Sequence, residues 1–198
     1  MRKVVVAEYL SVDGVMQDPA AWMSQYWNDE LSTHQSDQLF ASDALLLGRA
    51  TYEAFAASWP SRSGDAFTDR MNSLPKFVVS RTLDEPLEWN ARLLRGDATE
   101  EVARLKEQSG QDILVYGSGE LVRTLAGSNL IDEYRLMVAP LILGSGQHLF
   151  EGVGDRTPLA LADGKTTSRG VALLTYRPAG TGAEVSASSE QELTAGTH

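Results

Sequence analysis

The residues best equipped for chemistry in this chain stand in three groups, each directly after a run of strand length. Gly48, Arg49 and Thr51 follow Ala44–Leu47, Ser80 and Arg81 follow Lys76–Val79, and Gly117, Ser118 and Gly119 follow Asp112–Tyr116. After the first group Tyr52, Phe55, Ala56 and Trp59 recur at i, i+3, i+4 and i+7, and after the third a helical stretch carries Leu121, Val122 and Leu125. A strand that becomes a helix within two or three residues leaves free backbone N–H groups and the positive end of the helix dipole at the junction, which is a seat for phosphate. Guanidinium groups and hydroxyls beside such seats suit a phosphate-bearing cofactor, because charge-assisted hydrogen bonds to a dianion are strong and directional.

Several other chemistries are excluded or left without support. The chain has no cysteine, so it has no disulfide, thiolate nucleophile or cysteine-bound zinc. Gly117-Ser118-Gly119 opens like a dinucleotide fingerprint, but Val122 stands at the third glycine position. Gly164-Lys165-Thr166 ends like a P-loop, yet Leu159 occupies the place of its first glycine and β-rich sequence follows. His34, His148 and His198 have no metal-ligand spacing with one another or with carboxylates, and no Gly-x-Ser-x-Gly elbow exists. Asp13, in an Asp-Gly turn signal, reads either as local turn chemistry or as a functional carboxylate. Trp22, Met23, Tyr26 and Trp27 crowd three aromatics into six residues, fitting a lid over a flat ligand, a subunit contact or ordinary packing.

These groups need elements to hold them. With 198 residues and 42% hydrophobic content the chain can bury a full core and is expected to form one domain over residues 1–178. Residues 179–198 read as a low-complexity acidic tail, with three glutamates and almost nothing to bury. A net charge of −10 with no basic run argues against nucleic acid and anionic membrane as partners. The longest apolar run, Leu136–Leu143, contains Pro140 and is far short of the roughly 20 residues of a spanning helix. Glu8 cuts the apolar run after Arg2 and Lys3 too early for a signal peptide, so a soluble cytoplasmic protein is expected. Helices are expected over Asp29–Ser42 and Asp65–Leu74, and from the capping-box-like Asp97-Ala98-Thr99-Glu100 to Gly110. Strands are expected at Lys3–Leu10, Ala91–Leu94, Glu133–Ala139, Pro158–Ala162 and Val171–Arg177, with the part from Ile131 onward pairing largely antiparallel. Alternating strands and helices followed by strands predict an α/β domain: a central, mostly parallel mixed sheet, helices on both faces, and an antiparallel C-terminal part. All three chemical groups then lie at the carboxyl ends of strands, where ligands bind in such sheets.

Leu45-Leu46-Leu47-Gly48-Arg49-x-Thr51-Tyr52, Val78-Val79-Ser80-Arg81 and Val115-Tyr116-Gly117-Ser118-Gly119, in this order and spacing, resemble the dihydrofolate reductase superfamily. More closely, the chain resembles its branch with the reductase domain of riboflavin biosynthesis, the RibD C-terminal domain. Ser11-Val12-Asp13-Gly14, Ile131-Asp132-Glu133-Tyr134 and Pro140–Gly146 with Leu149-Phe150 carry the same likeness, over about residues 3–177. The resemblance implies a three-layer dihydrofolate reductase-like fold and NADPH as cofactor. Gly48, Arg49 and Thr51 would hold its adenosine and pyrophosphate side, Ser80 and Arg81 its 2′-phosphate, and Gly117, Ser118, Gly119 and Glu120 its pyrophosphate and nicotinamide end. It further implies hydride transfer to a pteridine, an aminopyrimidine such as a 5-amino-6-(5-phosphoribosylamino)uracil-like compound, or a related heterocycle, and a homodimer. Asp13 is the first candidate for the acid or substrate anchor, with Asp29 and Glu30 as substitutes, and Trp22, Tyr26 and Tyr52 are candidate walls of the substrate pocket. The segment Pro60–Leu74 is longer than the corresponding connection in folate reductases, which speaks against dihydrofolate itself. A non-catalytic nucleotide-binding or interaction protein on the same fold is the rival reading.

Overall fold

The computed structural model describes residues 1–154 and 156–179. In chain order the elements are β1 (Val4–Ser11), α1 (Pro19–Met23), a 3-10 turn (Ser24–Tyr26), α2 (Asp29–Phe40), β2 (Ser42–Gly48), α3 (Arg49–Ser58), α4 (Ala66–Ser73), β3 (Lys76–Val79) and β4 (Ala91–Leu94). Then follow α5 (Ala98–Glu107), β5 (Asp112–Tyr116), α6 (Gly119–Gly127), β6 (Glu133–Ala139), β7 (Leu159–Thr166) and β8 (Ala172–Pro178). The tail beyond Ala179 lies outside the described residues.

One eight-stranded sheet organises the chain, in the order β4-β3-β2-β5-β1-β6-β8-β7. The pairs from β4 through to β6 are parallel, with Val5 opposite both Leu114 and Glu133, and only β6–β8 and β8–β7 are antiparallel. The C-terminal strands thus pair largely antiparallel, as the sequence suggests, and only the β6–β1 edge joins them in parallel to the rest. The α6 crossover is long enough to return the chain to the same sheet edge, which places β6 parallel to β1.

Both faces of the parallel part of the sheet are covered, and the leucines of β2 show how. Leu45 and Leu47 join the core beneath α2 and α4, Leu46 joins the core beneath α5 and α6, and all three are fully inaccessible. An apolar run without alternation is what a parallel strand buried on both faces requires. Connections leaving β1 and β2 run over one face, and those leaving β4 and β5 over the other. The crevice where they part is at the carboxyl ends of β2, β5 and β1.

Helix starts follow local chemistry closely. Asn28 caps α2 by accepting from the Leu31 N–H at 3.0 Å, Asp65 caps α4 through Thr68 at 2.9 Å, and Asp97 caps α5 through Thr99 at 2.9 Å. The aromatic segment Trp22–Trp27 folds into α1 and the 3-10 turn. Trp22 is buried there, its indole N–H donating to the Gln17 carbonyl at 2.9 Å.

Candidate functional site

The strand order brings the three chemical groups side by side. β3, β2 and β5 are consecutive neighbours, so Ser80, Gly48 and Gly117 sit on adjacent strand ends spanning about 10 Å. The Gly48 N–H donates to the Ser118 hydroxyl at 2.8 Å, tying two of the junctions together. Gly117 and Ser118 are both left-handed, with φ of 58° and 66°. A Cβ on Gly117 would stand 3.0 Å from the Thr51 hydroxyl, so the absence of a side chain keeps an opening there.

The two helices that begin at this edge begin differently from α2, α4 and α5. Neither α3, after Gly48, nor α6, after Ser118, receives a side-chain cap, so their first-turn N–H groups have no side-chain acceptor at the cap. Arg49 is exposed at the start of α3 and reaches Glu53 at 3.7 Å, a loose solvent-facing pair. Ser80 is buried, and its hydroxyl accepts the N–H groups of Thr82 at 3.1 Å and Leu83 at 3.2 Å. That turn holds Arg81 exposed, without a hydrogen bond or ion pair among the described residues. Glu120 is exposed in the first turn of α6. Open helix starts, a glycine cradle and exposed cations suit the phosphates of a dinucleotide.

A cleft of about 770 Å³ adjoins this edge and shares Thr51 and Gly117 with it. Met23, Trp27, Phe55, Trp59 and Phe67 contribute flat or flexible apolar walls, and Trp27 is 45% exposed at one side. The polar groups of the lining include Glu8, Tyr9 and Tyr116, from β1 and β5. Glu8 is 5% exposed; its Oε1 and the hydroxyls of Tyr9 and Tyr116 have no hydrogen-bond partner among the described residues. Burial raises the Glu8 carboxyl well above the carboxylate range, and the Gly117 N–H facing it offsets this only in part. Burial also pushes both phenols upward, so they stay neutral at ordinary pH.

The expected substrate residues fall elsewhere. Asp13 does not line the cleft: its carboxylate accepts from the N–H groups of Leu143 at 3.1 Å and Gly144 at 2.8 Å, pinning the loop after β6. The Ser11 hydroxyl and these N–H groups hold it at a pKa of about 2, so it remains ionised at neutral pH and is not a proton donor there. Glu30 clamps Ser168 in the same manner, accepting from its N–H and hydroxyl at 2.6 Å, and Asp29 borders a separate hollow of about 350 Å³. Trp22, Tyr26 and Tyr52 are also outside the cleft lining. Tyr52 is buried, its hydroxyl accepting from the Glu88 N–H at 3.0 Å and donating to the Glu88 carbonyl at 3.2 Å. In each case a nearby residue faces the cleft instead: Met23 and Trp27 beside Trp22 and Tyr26, and Phe55 one helical turn after Tyr52. Glu8 carried a legible signal, a charged residue late in an otherwise apolar strand buried on both sides. From the sequence alone it reads only as the end of an apolar run.

Among the described residues no group of three His, Asp or Glu side chains gathers as metal ligands, and no helix is long and apolar enough to cross a membrane.

The sheet order, the open helix starts and the adjoining cleft define an α/β domain of dihydrofolate reductase-like architecture. The chain belongs to the RibD C-terminal domain family, whose pattern matches residues 2–173. It is 33% identical over 146 residues to the uncharacterized protein YyaP of Bacillus subtilis (strain 168), covering 71% of this chain and 77% of that one. It is 29% identical over 175 residues to the uncharacterized protein YwjB of the same organism, covering 87% and 96%. Among solved structures, a protein described as a candidate riboflavin biosynthesis protein from Shewanella sp. PV-4 superposes with a TM-score of 0.74 at 22% identity, covering 89% of this chain and 99% of that one. The diaminohydroxyphosphoribosylaminopyrimidine deaminase/5-amino-6-(5-phosphoribosylamino)uracil reductase of Thermotoga maritima gives 0.64 at 16% identity, covering 90% of this chain and 57% of that one. At these identities the structural likeness speaks for the fold.

Proposed function

We propose that the protein is an NADPH-dependent reductase acting on a flat heterocycle of the pyrimidine or pteridine class, of which a 5-amino-6-(5-phosphoribosylamino)uracil-like compound is one form. The observation that carries this reading is the pair of uncapped helix starts on adjacent strands, at Gly48 and Ser118, opening beside an aromatic-walled cleft. Membership of the RibD C-terminal family supports it, as does the reductase among the proteins sharing the fold.

In this reading the first-turn N–H groups of α3 and α6, with Gly48, Thr51, Gly117, Ser118, Gly119 and Glu120, hold the pyrophosphate and the nicotinamide end. Arg49 supplies charge at the start of α3, and the turn built on Ser80 presents Arg81 to the 2′-phosphate. NADPH, when bound, supplies the hydride. The chain contributes orientation: Trp27, Phe55, Trp59 and Phe67 sandwich the flat acceptor, and the apolar lining excludes water from the reacting carbon. We also propose a homodimer formed through the C-terminal strands, where β7 is exposed along its length and Leu161 is 58% exposed. Sedimentation at two protein concentrations tests this, and a single monomeric species at both would refute it.

The central test is parallel titration with NADPH and NADH, followed by tryptophan fluorescence, on wild type, Arg49→Ala and Arg81→Ala. NADPH binding in the micromolar range, about −8 kcal/mol, weaker NADH, and loss in the arginine variants is the expected result. Equal affinity for both cofactors, or none for either, would sink the reading.

A further inference from the structure

Glu8 is the feature of the cleft that the proposed cofactor chemistry leaves unused. It lines the cavity from β1, is 5% exposed, and its Oε1 has no partner among the described residues, while the Gly117 N–H lies toward the carboxyl. An unsatisfied carboxyl oxygen at the wall of an apolar cavity is an expensive arrangement unless a ligand completes it. No cation pairs with it among the described residues. Arg135, on the neighbouring β6, is committed to Glu133 at 2.6 Å, and Arg62 lines the cleft without an ion pair to Glu8. Asp65 lines the cavity too, but it is occupied as the α4 cap. Tyr9 and Tyr116, the other titratable groups close to Glu8, remain neutral phenols.

We propose that Glu8 is the specificity-determining residue of the cleft and reads its substrate as a neutral carboxylic acid, selecting heterocycles that present a lactam edge, a ring N–H beside a C=O. A carboxylic acid has one donor and one acceptor on adjacent atoms, and so does a lactam, so the two close a ring of two hydrogen bonds. No net charge enters the cavity when they meet. A carboxylate would instead select an amidinium-type edge, such as a protonated 2,4-diaminopyrimidine, and would have to be ionised against the burial that favours its neutral form. The unpartnered hydroxyls of Tyr9 and Tyr116 offer further donors for exocyclic oxygens of the same ring. This inference rests on the cleft being the substrate half of the proposed reductase, but its test needs no cofactor.

The experiment is calorimetric titration with 6-aminouracil as the lactam probe and 2,4-diaminopyrimidine as the cationic probe, from pH 5 to pH 9, on wild type, Glu8→Gln and Glu8→Leu. Glutamine keeps one donor and one acceptor and cannot ionise. Glu8→Gln is therefore expected to bind the lactam probe within about threefold of wild type at low pH and to lose the fall in affinity that wild type shows as pH rises. Glu8→Leu is expected to lose about tenfold or more, the equivalent of a buried hydrogen-bond pair. Preference of wild type for the diaminopyrimidine, tenfold weaker lactam binding by Glu8→Gln, or undiminished binding by Glu8→Leu would each overturn the proposal. Infrared difference spectra of wild type minus Glu8→Gln supply a second readout, because a protonated carboxyl band at neutral pH is required and its absence overturns the assignment. Failure of both probes alongside normal NADPH binding removes the role of Glu8 and leaves the reductase reading. Lactam binding without NADPH binding does the reverse.

Discussion

The five longer helices described, α2 to α6, begin in two ways, and the difference maps onto location. α2, α4 and α5 are closed by Asn28, Asp65 and Asp97, whose side chains accept the first free N–H groups. α3 and α6, which start at the carboxyl ends of the adjacent strands β2 and β5, begin at Gly48 and Ser118 with no such cap. A capped start satisfies the helix internally and contributes about 1 kcal/mol of stability. An open start forgoes that contribution and keeps its donors for an external anion. Among the described residues, five helices have eight residues or more, and the two left open are the two that start at these strand ends.

Closing an open start should produce the largest effect. Gly48→Asp places a capping carboxylate at the start of α3, where the backbone is extended and a Cβ would meet Ser118 at 3.4 Å. NADPH affinity should drop by about a hundredfold or more from like-charge repulsion and occupied donors, measured by titration, with folding retained by circular dichroism. Unchanged affinity would show that the α3 start is merely uncapped. Arg81→Ala comes next, with about a tenfold loss for NADPH, in line with one charge-assisted hydrogen bond. NADH binding and the melting temperature should stay unaltered, because Arg81 is exposed and makes no hydrogen bond or ion pair among the described residues.

The closed starts should respond in the opposite sense. Asn28→Ala and Asp65→Ala are each expected to cost about 1 kcal/mol of stability in urea melts, with NADPH affinity unchanged. A cofactor effect from either would blur the distinction between the two kinds of helix. Asp13→Asn is the subtlest, since its effect appears only in acid. Folding holds this carboxyl at about 2, below the ~3.9 of an unfolded chain. Its stabilisation is complete above about pH 4 and is lost as pH falls through about 2. The variant should therefore show a flatter acid limb in pH-dependent melts between those values, and an unchanged limb would show that the Asp13 contacts to Leu143 and Gly144 carry no weight.

What the sequence determined by itself is what short-range physics controls. Leu45-Leu46-Leu47 before Gly48 is enough to specify a buried strand ending in a glycine junction, and Asp97 with Thr99 and Glu100 is enough to start a helix. The three chemical groups were legible for the same reason, since each is one strand end with its following turn. Only the tertiary structure decided which side chains meet across those elements. Tyr52 and Phe55 are equally plausible walls in sequence, but the packing of α3 on the sheet turns Tyr52 inward to Glu88 and leaves Phe55 to the cleft. Asp13 and Glu8 are both single carboxylates near the N-terminus. The first meets backbone N–H groups 130 residues away and is held ionised, while the second meets an apolar cavity whose burial raises its pKa and favours its neutral form. Their environments come from distant parts of the chain, and environment is what sets the chemistry of a carboxyl group.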